Sequence, residues 1–405
     1  MRILIGCDTF DPDINGAASF TRRLAVALVE RGHDVHVMAP APDRWHGTRR
    51  EVHDGVEMTV HRIYSWPWPP HPWFRYVLPW RSKAHGRRII DLVRPDVVHF
   101  QSHIVIGRGL AIAAKKRGIR VIGTNHTMPE NVVQHVTILP PFANRWLVRA
   151  QWRSARKIFS LAEAVTSPTR RSADYFEQMT GLSGVHAVSN GIDVDDYASD
   201  FSPRTENRIA YVGRLDEEKH IDELIAATAR LDPDLDVHVD IVGGGEQREK
   251  LEKLAAARGV ADRVQFHGKA SDEVLRQVLI RGSVFAMPSR AELQCIAAME
   301  AMASALPIVA ANAMALPHLV RPGENGYLYE PGDIDGFAQH LTTVLTASPE
   351  VYEGMKRASQ RIVAPHDLQR VIDVFEALYR GERIVDPTTE PASAPTEEAT
   401  SPPVE

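Results

Sequence analysis

A chain of 405 residues exceeds what one hydrophobic core usually fills, so two domains are the default expectation. With 44% hydrophobic residues and a net charge of -5 it reads as an ordinary globular chain, and no global positive field points to nucleic acid. Its two cysteines, Cys7 and Cys295, are too far apart in sequence to suggest a disulfide framework or clustered zinc ligands, and a reducing, cytoplasmic setting fits that usage.

The N-terminal MRILIGCDTF has a short apolar run followed by Asp8 and Asp11; lacking the long apolar stretch of a secretory signal, it reads as a buried first strand. No run of about 18 apolar residues occurs, so no transmembrane helix is expected and any membrane contact is peripheral. Apolar runs at 2–7, 34–39, 96–100 and 120–124 alternate with helical patterns, as in parallel strands joined by crossover helices. Over 17–31, Phe20, Leu24 and Leu28 line one face of an amphipathic helix closed by Gly32. A second series, at 208–213, 236–245, 264–268, 283–288 and 307–311, repeats the pattern. The Ser-, Asp-, Asn- and Gly-rich stretch 189–206 suits an interdomain connection. The expected architecture is α/β, with domains over 1–188 and 189–365, a helix over 366–383, and a Pro-, Thr-, Ala- and Glu-rich tail over 384–405 without fixed structure.

The segment SRAELQCIAAMEAMASALP, 289–307, follows a predicted strand and opens a helix whose Ile296, Met299 and Ala303 pack inward. Glu292 precedes the first turn, and Glu300 stands eight residues on, about 12 Å away at α-helical rise, a span that suits a hexose at one end and a ribose at the other. Between them the backbone N–H groups of Leu293, Gln294, Cys295 and Ile296 would face a cleft and favour a diphosphate. The plainer reading is a helix with an acidic start and one solvated Glu.

In YVGRLDEEKHID, 211–222, Gly213 ends a strand, and Arg214 and Lys219 follow where two cations would neutralise a departing diphosphate. The alternative is that Lys219 merely pairs with a nearby Glu. Gly243, Gly244 and Gly245 either admit a ligand close to the backbone or form only a tight turn. Cys295 is either a lowered-pKa thiol at a helix start or a small packing residue.

These residues resemble family 4 of the nucleotide-sugar glycosyltransferases, over nearly all of the chain ahead of the tail. The resemblance implies a GT-B fold, two Rossmann-like domains whose parallel sheets face a central cleft, with the 366–383 helix crossing back to the N-terminal, acceptor-binding domain. In the family a GRLxxEKG-like loop supplies Arg and Lys to the donor phosphates, which assigns Arg214 and Lys219 and leaves His220 where Gly is usual. Two Glu separated by seven residues match Glu292 and Glu300, implying contacts to the donor hexose and ribose respectively. Ala305 stands where the family generally has Gly before the Pro, a change expected to affect helix termination rather than chemistry. Asn15 and Gly16, in DPDINGAASF, occupy the place of the family's Gly-rich loop beside donor and acceptor, unless they form a plain turn. His126, in TNHTMP, lies just past a strand end, where the family has its functional His. SNGID, 189–193, matches the point where the family's chain enters its second domain.

The implied reaction is retaining transfer of glucose or mannose from a UDP- or GDP-sugar to an acceptor hydroxyl, with no cofactor. The Asp-x-Asp pairs Asp11 with Asp13 and Asp193 with Asp195 arise easily in loops and are assigned no metal. Residues 62–88 carry Trp66, Trp68, Trp73 and Trp80, and six Arg or Lys, Arg75 and Arg81 among them, without one acid; this pattern suits a lipid headgroup interface. Trp146, Trp152 and five basic residues over 142–157 extend it, so a membrane glycerolipid or glycolipid acceptor at the inner face of the cell membrane is expected. The alternative packs these Trp internally under a Pro-rich loop. A GT-B nucleotide-sugar epimerase would need no acceptor surface, a soluble glycan or small molecule is a rival acceptor, and a binding protein without turnover is a third possibility. A dehydrogenase is disfavoured because no G-x-G-x-x-G follows the first strand.

Overall fold

The computed structural model describes residues 1–13, 15–68, 71–130, 141–202 and 204–384, with the backbone alone at 68, 71–74 and 141–142. The side chains of Trp68 and Trp73 and the tail from 385 onward lie outside the described residues.

The apolar runs of the first half become β1 (Arg2–Gly6), β2 (Asp34–Pro40), a hairpin of β3 (Gly47–His53) and β4 (Val56–Ile63), a small separate hairpin of β5 (Trp66–Trp68) and β6 (His71–Tyr76), and then β7 (Val97–Phe100), β8 (Arg120–Thr124), β9 (Ala164–Ser167) and β10 (His186–Ala187). All but β5 and β6 join one sheet in the order β10-β9-β8-β7-β1-β2-β4-β3, parallel except where β3 runs against β4. Helices α1 (Gly16–Glu30), α2 (Pro79–Val93), α3 (Ile106–Lys115), α4 (Pro141–Phe159) and α5 (Arg170–Thr180) connect these strands. α1 forms as its pattern dictates: Asn15 Oδ1 caps it by accepting from the Ala18 N–H at 2.9 Å, and Phe20, Leu24 and Leu28 are fully buried.

The second half forms a wholly parallel sheet of β11 (Asn207–Val212), β12 (Val237–Val242), β13 (Val264–Gly268), β14 (Val284–Met287), β15 (Ile308–Ala311) and β16 (Gly326–Tyr329), in the order β13-β12-β11-β14-β15-β16. Its helices are α6 (Ile221–Thr228), α7 (Arg248–Ala257), α8 (Asp272–Arg281), α9 (Ile296–Ala303), α10 (Leu316–Leu319), α11 (Ile334–Leu345) and α12 (Pro349–Val363). The last helix, α13 (Leu368–Arg380), buries Val371, Ile372, Phe375 and Tyr379 in the first half's core, against residues such as Ile3, Phe20 and Leu24. Two chain segments therefore pass between the halves, and they pair side by side: Ile192 bridges Asp367, while Gly191, at φ 65, lies so near Leu368 that a Cβ would come within 3.1 Å of its Cα.

Each sheet reverses strand order beside its first strand, at β1/β7 and at β11/β14. The loops leaving the carboxyl ends of these strands border the crevice where an open parallel sheet binds ligands. They carry Asn15 and Gly16, Gln101, Arg214 and Lys219, and Glu292; His126 leaves the adjacent β8.

Both positions where the family resemblance places a glycine that this chain lacks hold a conformation that favours one. His220 has φ 48 and Ala305 has φ 63. At Ala305 the geometry is a Schellman stop for α9, with the Ala305 N–H donating to the Met302 carbonyl and the Leu306 N–H to that of Ala301, both at 2.9 Å. An L-residue there costs about 1–2 kcal/mol, partly offset by the larger unfolded-state entropy of glycine. Ala305→Gly is expected to stabilise the protein by about 1 kcal/mol, read as a higher Tm by calorimetry; an unchanged or lower Tm would show that this turn is unstrained.

Candidate functional site

The loop after β14 and the turn after β11 are bound to each other before either meets a ligand. The Arg290 N–H donates to the Glu218 carbonyl at 3.3 Å, and the Arg290 guanidinium pairs with buried Glu223, which also accepts from the Tyr329 hydroxyl at 2.8 Å and the Gly332 N–H at 3.3 Å. On this frame Lys219 Nζ donates to Glu292 Oε1 at 2.6 Å, the two side chains being 13% and 15% exposed. Burial pulls Lys219 toward neutrality, but the Glu292 charge and hydrogen bond outweigh it and raise its pKa. Burial likewise pushes Glu292 up, and Lys219, Ser289 and Arg214 together bring it below its usual value. Both groups stay charged. The sequence neighbours Glu217 and Glu218 are not the partners of Lys219, whereas Arg214 does take its neighbours, Asp216 and, at 2.8 Å, Glu218.

The helix beyond Glu292 starts later than its sequence predicts. Residues 292–295 are irregular, with a bend at 293–294, Cys295 has φ 72, and α9 begins at Ile296. The cause lies in the carbonyls: that of Glu292 accepts from the Ala315 N–H at 3.1 Å and that of Leu293 from the Thr169 hydroxyl at 3.0 Å, so neither closes a helical turn. The N–H groups of Leu293, Gln294 and Cys295 therefore lie ahead of the helix rather than in its first turn. None of these, nor those of Ile296 and Ala297, has a backbone acceptor among the described residues, and the helical 12 Å spacing from Glu292 to Glu300 does not apply. The Gln294 side chain is buried and engaged within the protein: Oε1 accepts from the Asn190 N–H at 2.8 Å and Nε2 donates to Ser189 Oγ at 2.6 Å, fastening this loop to the interdomain crossing. Burial pushes the Cys295 thiol far up, and it packs in the core. One turn along α9, Glu300 lies near the Tyr197 hydroxyl and Arg23 of α1; burial raises its pKa, with Arg23 and Tyr197 opposing. No sequence motif announces Arg23 or Tyr197.

The glycine turns divide. A Cβ on Gly243 would stand 1.8 Å from the Gly213 carbonyl oxygen, and one on Gly245 2.5 Å from that of Leu215, so the close approach is made by the chain itself. Gly213 is similarly confined, by the Tyr211 hydroxyl at 2.7 Å. A Cβ on Gly244 would lie 3.2 Å from the Lys269 stem, which brings a further cation, unforeseen from sequence, to this turn. On Gly16 a Cβ would be 3.7 Å from Ile296 Cδ1: the first-half loop touches the tip of α9, and no clash requires glycine there.

His126 is partly buried, packs against Phe20 at 5.0 Å between ring centroids, and hydrogen-bonds through Nε2 to Gln101 Oε1 at 2.8 Å. Burial lowers its pKa to about 3, which keeps the ring neutral. Asp11 and Asp13 are engaged structurally, with His53 at 3.0 Å and with the Phe10 N–H at 3.2 Å.

The aromatic and basic surface is smaller than the sequence suggests. Trp66 is packed among Tyr64, Tyr76 and Arg81, Arg75 is spent on Ser65 Oγ and carbonyl, Arg62 is buried against Glu51, and Trp152 is 4% exposed with its N–H on Glu130. Trp80 and Trp146 are each 66% exposed, and Trp45, outside the predicted segments, is 75% exposed. No helix among the described residues is long and apolar enough to cross a membrane.

Two Rossmann-like halves, each with a parallel sheet and a switch-point crevice, give the GT-B architecture. The same architecture occurs in sucrose-phosphate synthase from Thermosynechococcus elongatus (TM-score 0.77, 19% identity, 94% of this chain and 99% of that one) and in Anabaena HepE in complex with UDP (TM-score 0.73, 19% identity, 94% and 100%). Residues 14–196 match the profile described as Glycosyltransferase Family 4, and residues 196–361 that described as Glycosyl transferases group 1. The chain is 31% identical over 296 residues to the MMP alpha-(1->4)-mannosyltransferase of Mycolicibacterium hassiacum, covering 70% of each protein. It is 28% identical over 362 residues to a GDP-mannose-dependent alpha-mannosyltransferase of Mycolicibacterium smegmatis, covering 85% of this chain and 88% of that one. The chain belongs to glycosyltransferase family 4 and is a glycosyltransferase.

The ion pair yields a double-mutant test. Lys219→Met leaves Glu292 uncompensated and is expected to destabilise by about 2–3 kcal/mol and to lower kcat/KM by about a hundredfold or more. Lys219→Met with Glu292→Gln is expected to recover much of the stability and none of the activity. Recovery of activity in the double variant would show that the pair is structural only.

Proposed function

We propose that this chain is a retaining hexosyltransferase that binds the diphosphate of a nucleotide sugar between Arg214, Lys219 and the N-terminus of α9, with the hexose toward Glu292 and His126 and the ribose toward Glu300. The observation that carries the reading is the charged Lys219–Glu292 contact directly before the free N–H groups of Ile296 and Ala297. In this arrangement a developing diphosphate meets fixed positive charge on a lysine only 13% exposed, where such charge acts more strongly than at an open surface. Gly16, against Ile296, brings the first half within reach of the same ligand. The acceptor hydroxyl attacks from the face the diphosphate leaves, and a phosphate oxygen takes its proton. The cations present supply the neutralisation, so turnover is expected without a metal.

Mannose from GDP-mannose is our first choice of donor, on the strength of mannosyltransferase relatives from Mycolicibacterium. A lipid acceptor is supported by the exposed Trp45, Trp80 and Trp146 on a first half whose α4 carries Arg145, Arg149, Arg153, Arg156 and Lys157 without an acid.

One assay tests these points together: GDP-mannose and UDP-glucose are each incubated with the protein and vesicles of anionic phospholipid, with and without a chelator. The expected result is GDP-mannose turnover to a lipid-extractable product that retains the anomeric configuration by proton NMR, undiminished by the chelator and reduced when Trp80 and Trp146 are both changed to Ser. An inverted product, or epimerised donor with nothing transferred, would overturn the reading; loss of turnover in chelator would overturn the metal-free step, and a water-soluble product alone the lipid acceptor.

A further inference from the structure

Behind His126 lies a buried polar chain that the reaction itself does not use. His99 on β7 is fully buried, with Nδ1 on the Tyr379 hydroxyl of α13 at 2.8 Å and Nε2 on Thr124 Oγ1 at 2.7 Å; Thr124 in turn meets Thr166 Oγ1 at 2.7 Å. Gln101 is 2% exposed and lies between the two imidazoles, its Oε1 2.8 Å from His126 Nε2 and its Nε2 3.5 and 3.4 Å from the two nitrogens of His99.

The orientation of this amide follows from the contacts of His99. Both in-plane nitrogen positions of His99 are taken by hydroxyls, and an amide nitrogen nearly equidistant from both in the ring plane would collide with Cε1. The amide therefore sits over the ring face. That face is electron-rich, so it attracts an amide N–H and repels a carbonyl oxygen. With its NH2 group turned to His99, Gln101 presents its oxygen to His126, and an oxygen there accepts only if His126 Nε2 bears the proton. In a neutral imidazole the other nitrogen then has a lone pair. Nδ1 of His126 has no partner among the described residues and is not one of their buried unpartnered atoms.

We propose that Gln101 is a positioning residue that holds His126 as the Nε2–H tautomer, so that Nδ1 accepts a hydrogen bond from a hydroxyl of the transferred sugar or of the acceptor. This rests on the reading that His126 faces the reacting sugar. It makes His126 an acceptor that orients a hydroxyl, and not a donor to an anionic oxygen.

The test is nitrogen-15 NMR of the histidine-labelled full chain, assigned with His126→Ala. The expected result is a protonated-type Nε2 and an unprotonated-type Nδ1 in the wild type. In Gln101→Leu, the two tautomers mix and kcat/KM falls about tenfold, the worth of one hydrogen bond, while Gln101→Glu, which keeps the acceptor, preserves the Nε2–H signature. An Nδ1–H tautomer in the wild type, or an unchanged tautomer and unchanged kcat/KM in Gln101→Leu, overturns the proposal; should Gln101→Leu fail to fold, the wild-type spectrum decides. Full activity in His126→Ala would instead remove the role of His126 and leave the tautomer assignment standing.

Discussion

The Lys219–Glu292 contact is the constraint on which the rest of the site depends. Two opposite charges, each largely removed from water, remain charged chiefly because they lie 2.6 Å apart. Everything around them serves that distance. Glu223, deep in the second half, takes Arg290, Tyr329 and Gly332, and so fixes the loop that carries Glu292 to the turn that carries Lys219. A flexible pair at the surface would be worth little and would point nowhere; held this way, the lysine is a preorganised positive charge beside a helix tip.

The same loop is tied to the relation between the two halves. Gln294, two residues beyond Glu292, binds Asn190 and Ser189 at the first interdomain crossing, and Ser189 also meets His366 at the second, at 2.9 Å. Thr169 of the first half bonds the Leu293 carbonyl. These buried bonds make the position of the donor loop inseparable from the angle at which the halves face each other. They also explain the late start of α9: the carbonyls that would have opened the helix one turn earlier are engaged with Thr169 and Ala315.

Much of this was legible in the sequence because it rests on local pattern. The apolar runs named β1, β2, β7 and β8 and five strands of the second sheet, and the period of α1 predicted the helix with Phe20, Leu24 and Leu28 inward. The short or partly exposed strands β3, β5, β6, β9, β10 and β16 carry no comparable apolar run and were not foreseen, and β4 was lost beside the aromatic segment. At the site, Arg214, Lys219, Glu292 and His126 were named because each follows a strand end, a feature of sequence order. What sequence order does not contain is pairing over distance. That Lys219 meets Glu292 rather than Glu217 or Glu218, that Gln101 backs His126, and that Arg23 and Lys269 reach the site from other elements are consequences of topology. The tryptophans illustrate the same limit, since composition treats Trp66, Trp80 and Trp152 alike and packing separates them.

A crystal structure of the protein with a bound nucleotide sugar is the most direct test of this site. The diphosphate is expected within hydrogen-bond reach of Arg214, Lys219 and the N–H groups of Ile296 and Ala297, with the ribose at Glu300. A nucleotide sugar bound away from the β11/β14 crevice, or bound there with Lys219 still closed on Glu292 and out of reach of any phosphate, would contradict it.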